Sequence, residues 1–246
     1  MFRILSYNVH RCVGLDRRLD VGRIADVIAA EAPDIVALQE VDVGRARTAG
    51  VDQAHSLARR LGMASRFNAA LKVEEEQYGD AILTARPERL VKAGPLPGYP
   101  RMPRLEPRGA LWVAIELGDG RRVQVINTHL GLVPREQQIQ AACLAGETWI
   151  GAVEAGAALI VLGDFNATQR TLAHRILTRR LANAHGLRPA GQPRAATFPA
   201  SLPMLRIDHA FVSEAVSVRS VRVGAAPQAR YASDHLPLVI DFEIAN

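Results

Sequence analysis

AALIVLGDFN, residues 157–166, is an apolar run that passes through Gly163 and ends in two polar side chains, Asp164 and Asn166. An apolar run of this length next to a glycine predicts a buried strand. A strand that ends in Asp-x-Asn brings a carboxylate and an amide to the edge of its sheet. A lone Asp-x-Asn is more often a turn or a cap, but its place at a strand end favours chemistry over packing.

The same pattern occurs in ILSYNVH (residues 4–10) and in DIVALQE (34–40), and Ser-Asp-His at 233–235 precedes another apolar run. These segments offer oxygen ligands at Asn8, Glu40, Asp164 and Asp234. Carboxylates gathered in one place repel each other and lose hydration, so we expect a cation to compensate them. Hard oxygen ligands with few soft partners favour Mg²⁺ or Mn²⁺ over Zn²⁺. For Asn8 a second role, an amide that stabilises a turn, stays open.

Length and composition predict one domain over residues 1–246, because 246 residues with 48% hydrophobic composition suffice for one substantial core. The sequence contains no run of about 18 apolar residues, which a membrane helix needs, and Met1 leads directly into a predicted strand. We therefore expect a cytoplasmic protein without an integral membrane segment. Cys12 and Cys143 match neither a disulfide framework nor a paired zinc motif, and we expect reduced thiols.

The net charge of +5 could attract a polyanion such as nucleic acid or an acidic lipid surface. Lysine occurs only at Lys72 and Lys92, so nearly all of the positive charge is arginine in an alanine-rich chain. A biased genome composition would produce the same excess. Both explanations of the overall charge stay open.

Apolar periodicity predicts an alternation of strands and helices with several adjacent antiparallel strands. Such an order indicates two packed sheets covered by helices. Residues 93–108, with five prolines and three arginines, and residues 183–203 lack periodicity, as binding loops do. The predicted helices are 20–31, 51–61, 134–154 and 168–181, and the predicted strands are 2–9, 34–40, 64–71, 78–84, 111–117, 122–130, 157–162, 206–212, 216–223 and 236–244, with a hairpin turn at Gly118-Asp119-Gly120.

Six short motifs stand at or near the ends of predicted strands, and they are Tyr7-Asn8, Gln39-Glu40, Asn127-Thr128-His129-Leu130, Gly163-Asp164-Phe165-Asn166, Ile207-Asp208-His209 and Ser233-Asp234-His235. Taken in order, they resemble those of the endonuclease/exonuclease/phosphatase superfamily, whose members are DNase I-like metal-dependent phosphohydrolases. The resemblance spans residues 4–240 and implies an α/β fold, a four-layer αββα sandwich of two mixed, mainly antiparallel sheets with helices outside. It also implies hydrolysis of phosphate esters with Mg²⁺ or Mn²⁺.

The resemblance assigns roles to these residues. It implies Glu40 as the principal metal ligand, with Asn8 beside the metal or the phosphate and Asp234 at a second ion position. Phosphodiester hydrolysis needs neutralised phosphate oxygens, an activated water and a stabilised leaving alkoxide. The expected catalytic groups are Asp164 and Asn166, which orient the water, His129 and His235, which donate to phosphoryl oxygens, and Asp208, which supports His235.

Three further residues are candidates. In Tyr78-Gly79-Asp80 an acid stands where the pancreatic deoxyribonucleases also carry one, and the resemblance implies a hydrogen bond from Asp80 to His129. Arg108 could bind a substrate phosphate in a bidentate manner, or could form a surface ion pair with Glu106. His10 is a further candidate for substrate binding. The remaining histidines are expected to be structural or to face solvent: His55, His174, His185 and His209.

The substrate is not fixed by the superfamily, because related sites cut DNA, RNA tails, sphingomyelin and inositol phosphates on one scaffold. A DNA or RNA phosphodiesterase is the first expectation, because the chain is basic and Tyr99 is available for stacking in the arginine-rich loop. A small-molecule or lipid head-group phosphatase or phosphodiesterase is the alternative. A catalytically silent binding module is disfavoured, since unused carboxylates would be costly to keep together. No protein partner can be inferred.

Overall fold

Two sheets of six strands form the centre of the molecule, which a computed structural model describes for residues 1–118, 120–193 and 196–244. The strands are β1 (Phe2–Asn8), β2 (Ile35–Val43), β3 (Ala64–Val73), β4 (Glu76–Thr84), β5 (Glu88–Pro95), β6 (Gly109–Gly118), β7 (Arg121–His129), β8 (Ala158–Asp164), β9 (Ala182–Asn183), β10 (Asp208–Val212), β11 (Val216–Val223) and β12 (Leu238–Ile244). The helices are α1 (Val21–Ala29), α2 (Gln53–Leu61), α3 (Pro134–Ala145), α4 (Leu172–Thr178), α5 (Ala184–Leu187) and α6 (Ala229–Ala232).

Strand order explains where the polar strand ends meet. The first sheet runs β11-β12-β1-β2-β4-β3 and the second runs β5-β6-β7-β8-β10-β9. Most neighbouring strands are antiparallel, but β1 pairs with β2 and β7 pairs with β8 in parallel. The carboxyl ends of parallel strands lie at the same edge of a sheet. Asn8 and Glu40 therefore share one edge, and His129 and Asp164 share the corresponding edge of the second sheet.

The apolar residues form three clusters that define four layers. One cluster fills the space between the sheets, with Ile4 and Ile35 from the first sheet against Val125 and Ile160 from the second. A second packs the outer face of the first sheet against α1, α2 and α6, and a third packs the outer face of the second sheet against α3 and α4. The predicted αββα sandwich is confirmed.

Several predicted boundaries were wrong for local reasons. The helix that begins at Pro134 ends at Ala145 rather than near residue 154, because Gly146 turns to an extended conformation with ψ of −179°. The next helix begins after Thr171, whose side chain accepts from the His174 amide and caps it. Strand β5 falls partly within the proline-rich segment and was missed. The residue Asp119 of the predicted hairpin turn lies outside the described residues.

Candidate active site

Asp164 ends β8 at the point where the two sheets meet. Its neighbour Gly163 has φ of +145°, and a Cβ there would lie 1.8 Å from the Thr128 carbonyl oxygen of β7. Glycine is required at this position because any side chain would push β8 away from β7. The Asp164 backbone is thereby fixed opposite His129 on one side and opposite Asp208 on the other.

The Asp164 carboxylate is the centre of a set of polar side chains. Its Oδ2 accepts a hydrogen bond of 3.0 Å from Asn8 Nδ2 and lies 3.5 Å from the Nε2 atoms of both His129 and His235. Its Oδ1 accepts a hydrogen bond of 2.8 Å from the backbone amide of Asn166. Burial, and then the charge of the neighbouring Asp208, raise the pKa of Asp164. A buried carboxylate of raised pKa is a stronger proton acceptor than an exposed one.

His235 is held by Asp208, as the sequence predicted. Its Nδ1 lies 2.9 Å from Asp208 Oδ2, which also accepts a bond of 2.5 Å from the hydroxyl of Thr197. Burial alone would lower the pKa of His235, but the charges of Asp208 and Asp164 and the Asp208 hydrogen bond raise it to about 10. His235 is therefore an imidazolium near neutral pH and points Nε2–H toward Asp164.

His129 is held by an arginine, and the predicted hydrogen bond from Asp80 was wrong. Arg108 Nη1 lies 3.0 Å from His129 Nδ1, and the other ring nitrogen lies 3.0 Å from Asn166 Nδ2. Among the described residues no hydrogen bond joins Asp80 to His129. Arg108 is only 7% exposed, so its guanidinium occupies the space beside the ring that a short aspartate side chain on β4 was expected to fill. Burial raises the pKa of Asp80 to about 8, against the opposing charge of Arg108.

Both ring nitrogens of His129 face donors. The guanidinium of Arg108 lies beside Nδ1 and the side-chain amide nitrogen of Asn166 lies beside Nε2, so the neutral ring accepts at one nitrogen and carries its proton on the other. Burial, and then the charge of Arg108, lower the pKa of His129 well below its ordinary value. Arg108 Nη1 also lies 2.9 Å from Glu106 Oε1, so the predicted ion pair with Glu106 forms although the arginine is buried. The two histidines therefore differ, because His235 is charged and His129 is neutral.

Glu40 reaches the site from an irregularity in β2. The register with β4 shifts between Leu38 and Val41, and Glu40 itself has φ of +58°, an uncommon conformation for a residue other than glycine. The bulge turns the half-buried Glu40 side chain toward Asn8, whose Nδ2 donates a bond of 3.0 Å to Glu40 Oε1. Asn8 Oδ1 accepts from the His10 amide. In this arrangement Asn8 holds the carboxylates of Glu40 and Asp164 in place.

His10 and Arg11 form a left-handed turn directly after β1, with φ of 44° and 56°. Arg11 Nη2 lies 2.7 Å from His10 Nε2, and His10 Nδ1 lies 3.1 Å from the Val13 carbonyl oxygen. Since arginine donates and a carbonyl accepts, His10 is the neutral ring with its proton on Nδ1. Both ring nitrogens are therefore engaged. His10 positions Arg11 at the site, while its predicted contact with substrate stays a prediction.

One cleft of about 570 Å³ contains these groups. On its polar side it is lined by Glu40, Arg108, His129, Asp164, Asn166, Asp234 and His235, together with His10 and Arg11. Asn8, Asp80 and Asp208 lie behind this lining, buried. Asp234 is half-buried, and its Oδ1 accepts only a long bond of 3.3 Å from Ser233 Oγ among the contacts described. The structure thus brings together residues from both sheets that are separated by more than 200 positions in the sequence.

The donor set fits a hard divalent cation. Ligand atoms of Asp164, Asp208 and His235 lie within 4.8 Å of one another, and Asp208 Oδ1 is buried without a hydrogen-bond partner among the described residues. His235 Nδ1 is engaged by Asp208, which favours a donor role for this ring. The carboxylates of Glu40 and Asp234 face the same cleft. Carboxylates gathered at this density are expected where a cation binds.

Gln39 and Asn127 have a role that the sequence analysis did not assign. Gln39 Nε2 donates a bond of 2.7 Å to Asn127 Oδ1, and Asn127 Nδ2 donates to the carbonyl oxygens of Leu38 and Ala81 at 2.8 and 2.9 Å. Both side chains are fully buried. They connect the two sheets directly beneath Glu40 and His129. Gln39 and Asn127 each belong to one of the six motifs, and this was the sequence signal that could have identified them.

Three histidines outside the cleft are structural. His209 Nε2 donates to the Ala167 carbonyl oxygen at 2.8 Å, and the ring packs edge-on against His174 and His185. Burial is the first cause that lowers the pKa of all three rings. His55 is exposed on α2. No helix in the part of the chain that the structure describes is long and apolar enough to cross a membrane.

Comparisons with known proteins match almost the whole chain. The sequence model of the Endonuclease/Exonuclease/phosphatase family matches residues 5–235. An uncharacterized protein of Escherichia coli K12, YbhP, is 27% identical over 265 residues, which cover 99% of this chain and 96% of that protein.

Three solved structures share the fold. An endonuclease/exonuclease/phosphatase from Beutenbergia cavernae has a TM-score of 0.77 at 24% identity, covering 100% of this chain and 72% of that one. The human Nocturnin catalytic domain has a TM-score of 0.73 at 24% identity, covering 99% and 94%. A mannosyl-6-phosphatase of Bacteroides thetaiotaomicron has a TM-score of 0.75 at 20% identity, covering 99% and 100%.

Proposed function

Because the chain belongs to the endonuclease/exonuclease/phosphatase family, we propose that it is a divalent-metal-dependent phosphoesterase, and more narrowly a phosphodiesterase. The observation that carries the proposal is the environment of Asp164 Oδ2. This one oxygen has Asn8 at 3.0 Å and the Nε2 atoms of His129 and His235 at 3.5 Å each. A carboxylate flanked by two imidazoles in an open cleft suits attack of water on a phosphorus atom.

Asp164 orients the attacking water and takes its proton. Its raised pKa makes it a competent base, and Asn166 stands beside it, within 3.0 Å of His129 Nε2, to hold the water or a phosphoryl oxygen. Water adds to phosphorus and one ester P–O bond breaks, which leaves an alcohol and a phosphomonoester. The Asp208–His235 pair supplies a charged donor, and the neutral ring of His129 is the second candidate donor to phosphoryl oxygens. Both can stabilise negative charge on phosphoryl oxygens as it develops.

Glu40 and Asp234 would hold the metal ion, with Asn8 fixing the Glu40 carboxylate. We infer Mg²⁺ or Mn²⁺, because Glu40 and Asp234 offer carboxylate oxygens and hard cations prefer oxygen ligands. When bound, such an ion neutralises phosphate oxygens and lowers the pKa of water. Arg108, next to His129, adds a fixed positive charge on the same side of the cleft.

For the substrate, the net charge of +5 and the arginines of residues 93–108 support a nucleic acid. A small-molecule or lipid head-group ester is the second candidate, and a specific feature of the cleft favours it. Besides its polar groups, the cleft is lined by four apolar side chains, which are Leu132, Phe198, Leu205 and Ile207.

The proposed reaction is tested with a soluble chromogenic phosphodiester. Hydrolysis is expected with Mg²⁺ or Mn²⁺ and is expected to stop when a chelator is added. Asp164→Asn should lower kcat by about 10²-fold or more, while the control Asp26→Asn, at an exposed position on α1, should not change it. A protein that binds no divalent ion and hydrolyses neither a diester nor a monoester would be the silent binding module instead.

A further inference from the structure

Residues 197–205 form an ordered loop beside the cleft, here called the apolar loop. Phe198 and Leu205 pair as an antiparallel bridge, and the amides of Met204 and Leu205 both donate to the Phe198 carbonyl oxygen, at 3.0 and 2.8 Å. The tip of this loop projects large aliphatic side chains into solvent. Leu202 is 64% exposed, Met204 68% and Leu205 44%.

The base of the apolar loop is attached to the catalytic groups themselves. The Thr197 hydroxyl donates to Asp208 Oδ2 at 2.5 Å, and the Phe198 ring lies 4.9 Å from the His235 ring. The Ala200 amide donates to the Asp234 carbonyl oxygen at 2.7 Å. Thr197 and Ala200 are fully buried. The loop therefore holds its exposed tip at a fixed position relative to the reacting groups.

Other segments at the mouth of the cleft also expose aliphatic side chains. Leu132, which lines the cleft after β7, is 71% exposed. Met102, 44% exposed, lines a second pocket that shares Glu106 with the cleft. Soluble proteins seldom place several large aliphatic side chains in solvent around one opening unless that surface binds something apolar. Aliphatic side chains suit acyl chains, whereas nucleobases stack mainly on aromatic rings.

Positive side chains lie beside part of this aliphatic surface. Residues 96–105 contain no acidic residue and carry the exposed Arg101 and Arg104 next to Met102, while Glu106, which follows them, is paired with Arg108. Arg230 lies against the apolar loop, with Nη1 3.4 Å from the Ser201 carbonyl oxygen. Apolar side chains beside arginines are complementary to a bilayer surface that contains anionic lipid.

On the premise of the proposed function, we propose that the cleft hydrolyses the phosphodiester of a phospholipid, and that the protein docks on an anionic bilayer through the apolar loop, Leu132 and Met102. The tip of the loop enters the acyl region, and the arginines contact lipid phosphates. The head-group phosphodiester then lies at the level of Asp164. Water adds to phosphorus and one P–O bond breaks, so the products are one alcohol and one phosphomonoester, of which one retains the acyl chains.

The test compares vesicles of phosphatidylcholine alone with vesicles of phosphatidylcholine and phosphatidylglycerol in equal amounts. Wild-type protein is expected to sediment with the anionic vesicles and to release products from their lipid in the presence of Mg²⁺ or Mn²⁺. The double variant Leu202→Glu/Met204→Glu should weaken sedimentation at least about tenfold. It should also lower the ratio of vesicle-lipid hydrolysis to soluble-diester hydrolysis by a similar factor.

The control is Leu90→Glu/Leu187→Glu, at positions that are 42% and 46% exposed and do not line the cleft. It should leave both sedimentation and the hydrolysis ratio unchanged. Wild-type protein that hydrolyses the soluble diester, or DNA or RNA, but neither binds the anionic vesicles nor cleaves their lipid would overturn this inference and leave the proposed function standing. Failure to hydrolyse any diester or monoester would overturn the proposed function, and the inference with it.

Discussion

The buried amide of Asn127 should contribute more to stability than any other polar side chain between the sheets. Asn127→Ala removes three hydrogen bonds of 2.7 to 2.9 Å. Each bond contributes about 1 kcal/mol, and the carbonyl oxygens of Leu38 and Ala81 lose a buried donor, so we expect a loss of about 3–4 kcal/mol. Gln39 retains Ser6 Oγ at 3.2 Å, which limits the loss on its side.

The change is measured as the shift in Tm by circular dichroism. For a chain of this size, a loss of about 3 kcal/mol lowers Tm by roughly 6–12 °C. The control Gln228→Ala, at an exposed amide, should change stability by less than about 0.5 kcal/mol. Combining Gln39→Ala with Asn127→Ala should give a coupling energy of about 1 kcal/mol. A Tm within about 2 °C of wild type would refute the reasoning that these amides connect the sheets.

Three further predictions concern single positions. Gly163→Ala should lower the free energy of unfolding by about 3 kcal/mol or more, because the added Cβ would lie 1.8 Å from the Thr128 carbonyl oxygen. A thermal melt measures this loss. Burial lowers the pKa of His185 to about 4, so the unfolded chain binds its proton first as pH falls below about 6.5, and this ring alone should cost about 2 kcal/mol of stability between pH 8 and pH 5. The half-buried ring of His174 and the buried ring of His209 add to the same slope, so His185→Phe should reduce the slope and His55→Phe should leave it unchanged. Arg108→Lys should lower kcat/KM about 100-fold, since a flexible and strongly hydrated ammonium would not hold the buried position of the planar guanidinium beside His129, and unchanged kinetics would contradict this.

The sequence predicted the architecture and the convergence of the site because both follow from periodicity. Apolar runs that end in polar residues recur at Asn8, Glu40 and Asp164, and the parallel pairing of their strands brings those ends together. The strand ends could be predicted because the apolar pattern fixes their positions well. The support of His235 by Asp208 was implied by the family resemblance, and the contact is formed at 2.9 Å.

What the sequence could not predict depends on side-chain packing between distant segments. Arg108 occupies the Nδ1 side of His129, where Asp80 was expected, because a loop without periodicity folds its guanidinium into the cleft. The positive φ of Glu40 belongs to a β-bulge in β2, and no motif in the local sequence predicts this bulge. The apolar loop was expected to be irregular, and its attachment to Asp208 through Thr197 is a tertiary contact.

The central claim is that carboxylates from the two sheets act as one catalytic centre, and kinetics of Asp164→Asn, Glu40→Gln and the double variant test it most directly. Each single variant should lower kcat for a soluble phosphodiester by about 10²-fold or more, with Mg²⁺ or Mn²⁺ present. The double variant should be about as impaired as the worse single variant, because groups that act as a unit are not additive. Retained activity in either single variant, or losses that multiply in the double variant, would contradict the claim.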